Sequence, residues 1–349
     1  MKEGSKKAVR LIISVVLIAV SFYFALKDIN FGELVRIIIH ADYLWIILSI
    51  PIILLSHWVR AMRWKTLLEP ALNKKSASIW NLFSAVMIGY AGNCVLPRGG
   101  EVLRPLVYSR REKISFTTTF ATVIAERFID VIALFFLFVG VFFFLSGKVI
   151  QALPELDPNK IMIPTTIIFF VIVFSFYPPF VRFILRKILK PISEKFYNKI
   201  SHAFDKFMMG FAVIKKPSQY FRLSIESFAI WLFYTIPMWL MFYSFGFESK
   251  FHLGFSDATV LIVVSGIGAT IAPTPGTIGV YHFLIQNAMM KLYGISSEEA
   301  LAYATLTHAV NYIIQLGVGG LFFFHENIKQ VPPKEELANE IESISVETG

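Results

Sequence analysis

Three groups of polar residues in this chain sit inside or beside apolar stretches, where unpaired charge and unsatisfied backbone are costly. The first is Asn93, Arg98, Gly99, Gly100, Glu101 and Arg104, bracketed by Pro97 and Pro105. A Gly-Gly pair between prolines suits a turn whose amides approach an anion closely. Arg98 and Arg104 offer planar forks that match phosphate in a bidentate way, with Glu101 placed to brace one of them. The second group is Glu126, Arg127 and Asp130, within an otherwise apolar run. Glu126 and Asp130 lie four apart and share one helix face, with Arg127 on the flank. A charge at the centre of a spanning helix costs about 2.5–3.5 kcal/mol, so three in five residues demand partners in the protein interior. Both a structural ion pair with Arg98 or Arg104 and a headgroup or proton site meet that demand. The third group is a break, with Pro273, Thr274, Pro275, Gly276, Thr277 and Gly279 ahead of His282. A half-helix beginning near Thr277 would aim its free N–H groups and positive dipole end into the membrane. His308, Asn311 and Gln315 form a polar stripe on one face of the last apolar run, of the kind that glues helices together or lines a cavity.

Enzymatic templates are missing from these groups. There is no H-E-x-x-H, no phosphate-binding Gly-x-x-x-x-Gly-Lys and no Gly-x-Ser-x-Gly elbow. Glu126, Asp130, His282 and His308 match no metal spacing, and the one cysteine, Cys94, forms no C-x-x-C. The chain is therefore read as a non-enzyme without metal or cofactor.

The elements that must position these groups are membrane helices. Hydrophobic residues make up 56% of the chain and charged ones only 16%, against about a quarter in soluble domains. Spanning needs about 20 mostly apolar residues. The runs Val9–Leu26, Tyr43–Val59, Phe116–Leu145, Ile161–Val181, Leu223–Phe245 and Ala300–Phe324 meet that length. Two further segments are broken: Ile79–Leu96, ending in the first polar group, and Ala258–Tyr293, interrupted at 272–276. Proline removes a backbone donor, so such breaks survive in a bilayer only when buried in protein or lining a cavity. The expected fold is all-α, with six spanning helices and two re-entrant helical segments. One broken segment in each half points to an inverted repeat with a site near the midplane.

The net charge of +9 would suit nucleic acid in a soluble protein, but here the basic residues crowd short loops. With both broken segments re-entrant, 26 of the 33 Lys and Arg fall on one side and six on the other. That bias predicts an inner-membrane protein with both termini cytoplasmic. His57, Trp58 and Arg60 read as residues of the inner interface, as do Arg110, Arg111 and Lys113. Residues 182–222 alternate basic and apolar side chains and are expected to lie on the inner leaflet as interfacial helices. The domain plan is thus one polytopic unit over residues 1–325, followed by a short acidic, disordered tail over 326–349.

In order and spacing, these clusters resemble the flippase-like family named after the transmembrane region of lysylphosphatidylglycerol synthase. The resemblance rests on Asn93 with Leu96-Pro97-Arg98-Gly99-Gly100-Glu101-Val102-Leu103-Arg104-Pro105, on Glu126-Arg127-Phe128-Ile129-Asp130, and on Ala272-Pro273-Thr274-Pro275-Gly276-Thr277-Ile278-Gly279. It covers roughly residues 5–325 and implies movement of phospholipids between leaflets, not aminoacyl transfer, since no transferase domain is read here. Two positions depart from the family pattern. Thr277 stands where a second glycine is common, and His282 near a position where glutamate is frequent. The loss of that acid favours an anionic phospholipid or a polyprenyl-phosphate carrier over a lysine-bearing headgroup as the lipid partner. The alternative is a membrane subunit that presents lipid to a separate synthase or glycosyltransferase without moving it.

Overall fold

The computed structural model describes residues 3–72, 77–152, 178–191, 193–198, 200–202, 217–271 and 274–326, together with residues 167 and 204. All regular elements among them are helical. α1 (Glu3–Leu26) and α2 (Phe31–Ile39) meet at a bend of 90°, and Asn30 caps α2 by accepting the Glu33 N–H at 3.2 Å. α3 (Tyr43–Leu72) and α8 (Pro217–Ser244) run antiparallel as the central pair. Their register is fixed at one end by the Ser244 hydroxyl donating to the Asp42 carbonyl, and toward the other by Thr66 donating to Glu226. With 30 and 28 residues at about 1.5 Å each, both exceed the roughly 30 Å hydrocarbon core.

Among the described residues, α3, α8 and α12 (Ser297–His325) are each long and apolar enough to cross a membrane, and α1 with α2 qualifies as a bent unit. The run Phe116–Leu145 falls within one continuous 37-residue helix, α6 (Phe116–Ala152). Large apolar side chains face outward, among them Phe221, Phe228, Leu321 and Phe324, each at least 70% exposed. A surface of this kind belongs in lipid. The chain is an all-α integral membrane protein. Most of the expected span Ile161–Val181 lies outside the described residues, as do Pro273 and residues 327–349 of the tail. Of the 182–222 segment, α7 (Pro178–Ile188) is described; Phe183 and Ile188 are exposed on it beside Arg186 and Lys187.

Both broken segments form helical hairpins. In the first, α4 (Ile79–Val95) turns at Leu96–Arg98 and returns as α5 (Gly99–Glu112). The Asn81 amide donates to Glu112 at 2.8 Å at its open end, and Gly92 packs against Gly100 near its tip. Between them, a Cβ at Gly100 would fall on the Gly89 carbonyl oxygen, so only glycine permits this approach. After α9 (Phe247–Lys250), the second hairpin runs from α10 (Phe255–Ile271) through a 3₁₀ turn at Pro275–Thr277 into α11 (Val280–Tyr293). Gly268 packs against Leu284 and Val280, and the Tyr293 hydroxyl reaches the Asp257 carbonyl at 3.5 Å.

The first hairpin follows the Leu72 end of α3, the second the Ser244 end of α8. Because α3 and α8 are antiparallel, the hairpins enter from opposite ends of the bundle. Their tips meet: Arg98 donates to the Thr270 carbonyl at 3.0 Å, and a Cβ on Gly276 would lie 3.5 Å from the Cα of Cys94. α12 passes both. Its Tyr303 hydroxyl donates to the Met238 carbonyl at 2.7 Å, Tyr312 to the Cys94 carbonyl at 3.2 Å, and Phe322 packs on Phe83.

Candidate functional site

The two carboxylates of α6 meet arginines from three helices. Arg60 and Arg63 lie three apart on one face of α3, and Glu126 and Asp130 four apart on the facing side of α6. Glu126 takes Arg60 at 2.7 Å and Arg63 at 3.3 Å on one oxygen, and Arg104 at 2.8 Å on the other. Asp130 pairs with Arg60 and Arg63, and with Arg127 at 3.3 Å. The side chains of Arg63 and Glu126 are wholly buried, and those of Arg60 and Arg104 nearly so. Glu101 stands 3.9 Å from Arg127.

This arrangement corrects the reading of His57 and Arg60 as interfacial. Both are about 97–98% buried, Arg60 in the ion cluster and His57 against the ring of Tyr90. Arg63 was not singled out at all. Of the two arginines offered as partners for the acidic pair, Arg104 takes the role and Arg98 does not. Arg104 is also stacked 3.9 Å from the Trp64 ring, behind the cavity wall. Glu101 braces Arg127, not Arg98 or Arg104.

At the first tip the Gly100 amide is occupied by the Asn93 side chain at 2.8 Å, and Gly99 abuts Leu96. The glycine pair therefore serves close helix packing. Arg98 sits at φ 56°, ψ 19°, a left-handed conformation unusual for a residue with a Cβ.

At the second tip, Gly276 adopts φ 55° and Thr277 φ 59°, two successive left-handed residues in the break. The Thr277 N–H donates to the Thr274 carbonyl at 3.0 Å, and the Thr274 hydroxyl to the Ile278 carbonyl at 3.1 Å. The helix that follows starts at Val280, three residues beyond the expected Thr277, with Gly279 against Ile18 of α1. His308 Nε2 bonds the Gly276 carbonyl at 2.8 Å, closing the break from α12. His282 is buried between Phe22 and His308, with ring centroids 5.4 and 4.8 Å away.

A cavity of about 550 Å³ lies where the two tips and α6, α8 and α12 converge. Arg60, Arg98, Arg127, Glu101 and Asp130 supply its charged wall. Asn93 and, from the second tip, Thr274, Gly276 and Thr277 line it. So do His308, Asn311 and Gln315; His308 and Gln315 also hold α12 to its neighbours, while Asn311 bonds the Thr307 carbonyl of its own helix. Val131, Leu134, Pro237 and Ile262 form the apolar side. Arg104, Glu126, Gly99, Gly100, Gly279 and His282 lie outside the lining. Four guanidinium groups (Arg60, Arg63, Arg104, Arg127) pair with three carboxylates (Glu101, Glu126, Asp130), and Arg98 adds a fifth, bonded to the Thr270 carbonyl at the tip contact. The excess of positive charge suits an anion of one or two charges. Among the described residues no group of three or more His, Cys, Asp or Glu side chains is placed to hold a metal ion.

Comparison with known proteins finds membrane proteins along nearly the whole chain. The family model described as the lysylphosphatidylglycerol synthase TM region matches residues 11–319. The UPF0104 membrane protein PH1989 of Pyrococcus horikoshii is 23% identical over 90% of this chain and 96% of its own. A UPF0104 membrane protein of Methanothermobacter thermautotrophicus is 22% identical over 93% of this chain and 97% of its own. The glycosyltransferase AglD of Haloferax volcanii is 23% identical over 88% of this chain but only 53% of its own. No solved structure matches.

Proposed function

Since the chain belongs to the family of the lysylphosphatidylglycerol synthase TM region, we propose that it translocates a phospholipid, or a lipid-linked anionic headgroup, between the leaflets of the membrane. The observation that carries this reading is the cavity between two hairpin tips that enter from opposite ends of the bundle. Moving a phosphate through hydrocarbon alone is prohibitive, because the ion loses its hydration with nothing in exchange. Arg60, Arg98 and Arg127 replace that hydration with guanidinium donors, while Leu134 and Ile262 offer the acyl chains an apolar wall. Asp130 and Glu101 partly neutralise the arginines in the unloaded cavity, which keeps the cluster from trapping the anion. The excess of basic residues on one side supports an inner-membrane location with both termini cytoplasmic.

The test is leaflet exchange of labelled phospholipids in liposomes holding the purified chain. Arg98 is the residue to change, because it lines the cavity and bonds a backbone carbonyl rather than a carboxylate. Arg98→Ala is expected to slow exchange about 10-fold or more, the loss of one charge-assisted hydrogen bond to the moving headgroup. Exchange no faster than in protein-free liposomes for anionic, zwitterionic and polyprenyl-phosphate lipids would remove the proposal.

The match to about half of a protein named as a glycosyltransferase favours a second reading. On that reading the chain presents lipid to a separate enzyme. A soluble glycosyltransferase co-purifying in fixed ratio, with no exchange by the chain alone, would establish it.

A further inference from the structure

One end of the cavity carries hydrogen-bonding groups that the ion cluster does not use. His57 is about 98% buried and lines the cavity, yet neither ring nitrogen has a hydrogen-bond partner. The indole N–H of Trp231, which also lines the cavity, is likewise buried without a partner. Between them stand two phenols: Arg60 donates to the Tyr234 hydroxyl at 2.9 Å, and Tyr234 and Tyr90 share a bond at 2.9 Å. Whichever phenol donates in that shared bond, one of the two O–H hydrogens is left over. Three donors are present, and only two bonds join them. The rings are adjacent, with His57 4.3 Å from Tyr90 and Trp231 6.0 Å from Tyr234.

A buried polar group without a partner costs about 1–3 kcal/mol, so a cluster of them in one cavity needs an explanation. Phosphate alone does not provide it, because Arg60, Arg98 and Arg127 already serve that charge, and the unpartnered groups are neutral ring nitrogens and a phenol packed beside Arg60. A headgroup bearing hydroxyls would satisfy these groups, since each hydroxyl both donates and accepts. Flanking aromatic rings would cover its C–H faces and leave the hydroxyls to the ring nitrogens and the phenol.

Resting on the translocation reading, we infer that His57, Trp231, Tyr90 and Tyr234 form a subsite for a hydroxylated headgroup attached to the phosphate that Arg60 receives. The ligand class is a lipid phosphodiester of a polyol or a sugar. Two sources share that chemistry: a polyol phospholipid and a glycosylated polyprenyl phosphate.

The experiment measures equilibrium binding by the purified full chain in nanodiscs or detergent, using two matched pairs. One pair is phosphatidylmethanol and phosphatidylinositol, the other the methyl and hexosyl esters of a polyprenyl phosphate, so that every member is a singly charged phosphodiester. The hydroxylated member of at least one pair is expected to bind about 10-fold or more tightly, and the pair in which this happens identifies the source. His57→Phe keeps the ring and removes the nitrogens. Trp231→Phe removes the indole N–H. Either substitution is expected to bring the two members of that pair within about 2-fold of each other. The second variant keeps the test valid if the first does not fold. Equal affinity within both pairs, or a preference that survives both substitutions, would overturn the subsite. Leaflet exchange measured on the same samples separates the two proposals. Exchange without any hydroxyl preference removes the subsite alone, and preference without exchange keeps it while removing translocation.

Discussion

The two hairpins enclose one cavity by different means. The first turns in three residues, Leu96–Arg98, and holds its arms together through Gly89, Gly92 and Gly100. It is tied to the bundle by charge, through Arg104 on Glu126. The second passes through the 3₁₀ turn at Pro275–Thr277 and is tied by backbone, through the Gly276 carbonyl on His308. The first therefore brings a charged side chain to the cavity, and the second brings peptide groups and small hydroxyls. What they share is a left-handed residue with a Cβ at each tip, Arg98 and Thr277. Side-chain charge gives long-range attraction, whereas peptide dipoles give short-range directional contact, so on the proposed reading one hairpin would draw the anion and the other would orient it.

This contrast can be broken most severely at the charge tie. Glu126→Gln removes the shared partner of three buried arginines and should cost about 3–5 kcal/mol, read as a fall in the thermal unfolding midpoint in detergent. An unchanged midpoint would mean that the ion pairs do not anchor the first hairpin. Next comes Gly100→Ala, which forces a methyl onto the Gly89 carbonyl and should cost about 3 kcal/mol, with faster amide exchange confined to α4 and α5. Loosening spread evenly over the chain would count against the hairpin as a unit. At the second hairpin, His308→Phe leaves the Gly276 carbonyl without its partner, for about 1–2 kcal/mol. A cost matching that of Glu126→Gln would erase the distinction between the two ties. The smallest effect is a gain. Thr277→Gly relieves a left-handed threonine and, after the entropy that glycine adds to the unfolded chain, should stabilise by about 0.5 kcal/mol. A loss would indicate that the Thr277 side chain holds the tip, and its hydroxyl bond to the Gly276 carbonyl at 2.6 Å is the contact to examine.

Some of this was legible in the residues. Prolines and glycines at membrane depth have few uses, so Pro97, Gly99, Gly100, Pro275 and Gly276 announced both hairpins. Glu126 and Asp130 announced buried partners for the same reason, and their i, i+4 spacing gave the face. The partners themselves were only half visible. Arg60 and Arg63 stand near one end of an apolar run, where basic residues normally meet headgroups, and nothing local separates a buried arginine from an interfacial one. Their own i, i+3 spacing puts both on one helix face, as i, i+4 does for the acids, and was the available signal, but a contact across more than 60 positions is set by packing. The aromatic end of the cavity was hidden in the same way. Tyr90, Trp231 and Tyr234 fall inside apolar runs, where an aromatic ring reads as lipid-facing or core, and only assembly gathers them around one cavity.

Cys94, the one thiol in the sequence, occupies the place where the tips touch: its carbonyl receives Tyr312, its Sγ lies 3.7 Å from the Gln315 side-chain oxygen, and Gly276 passes close to its Cα. It is buried there. The native chain thus carries a built-in reporter that needs no engineered cysteine and has no competing thiol. The rate at which an alkylating reagent reaches Cys94 is a clock for the parting of the two hairpins, and its acceleration or arrest by a lipid tells whether that lipid opens the junction or locks it.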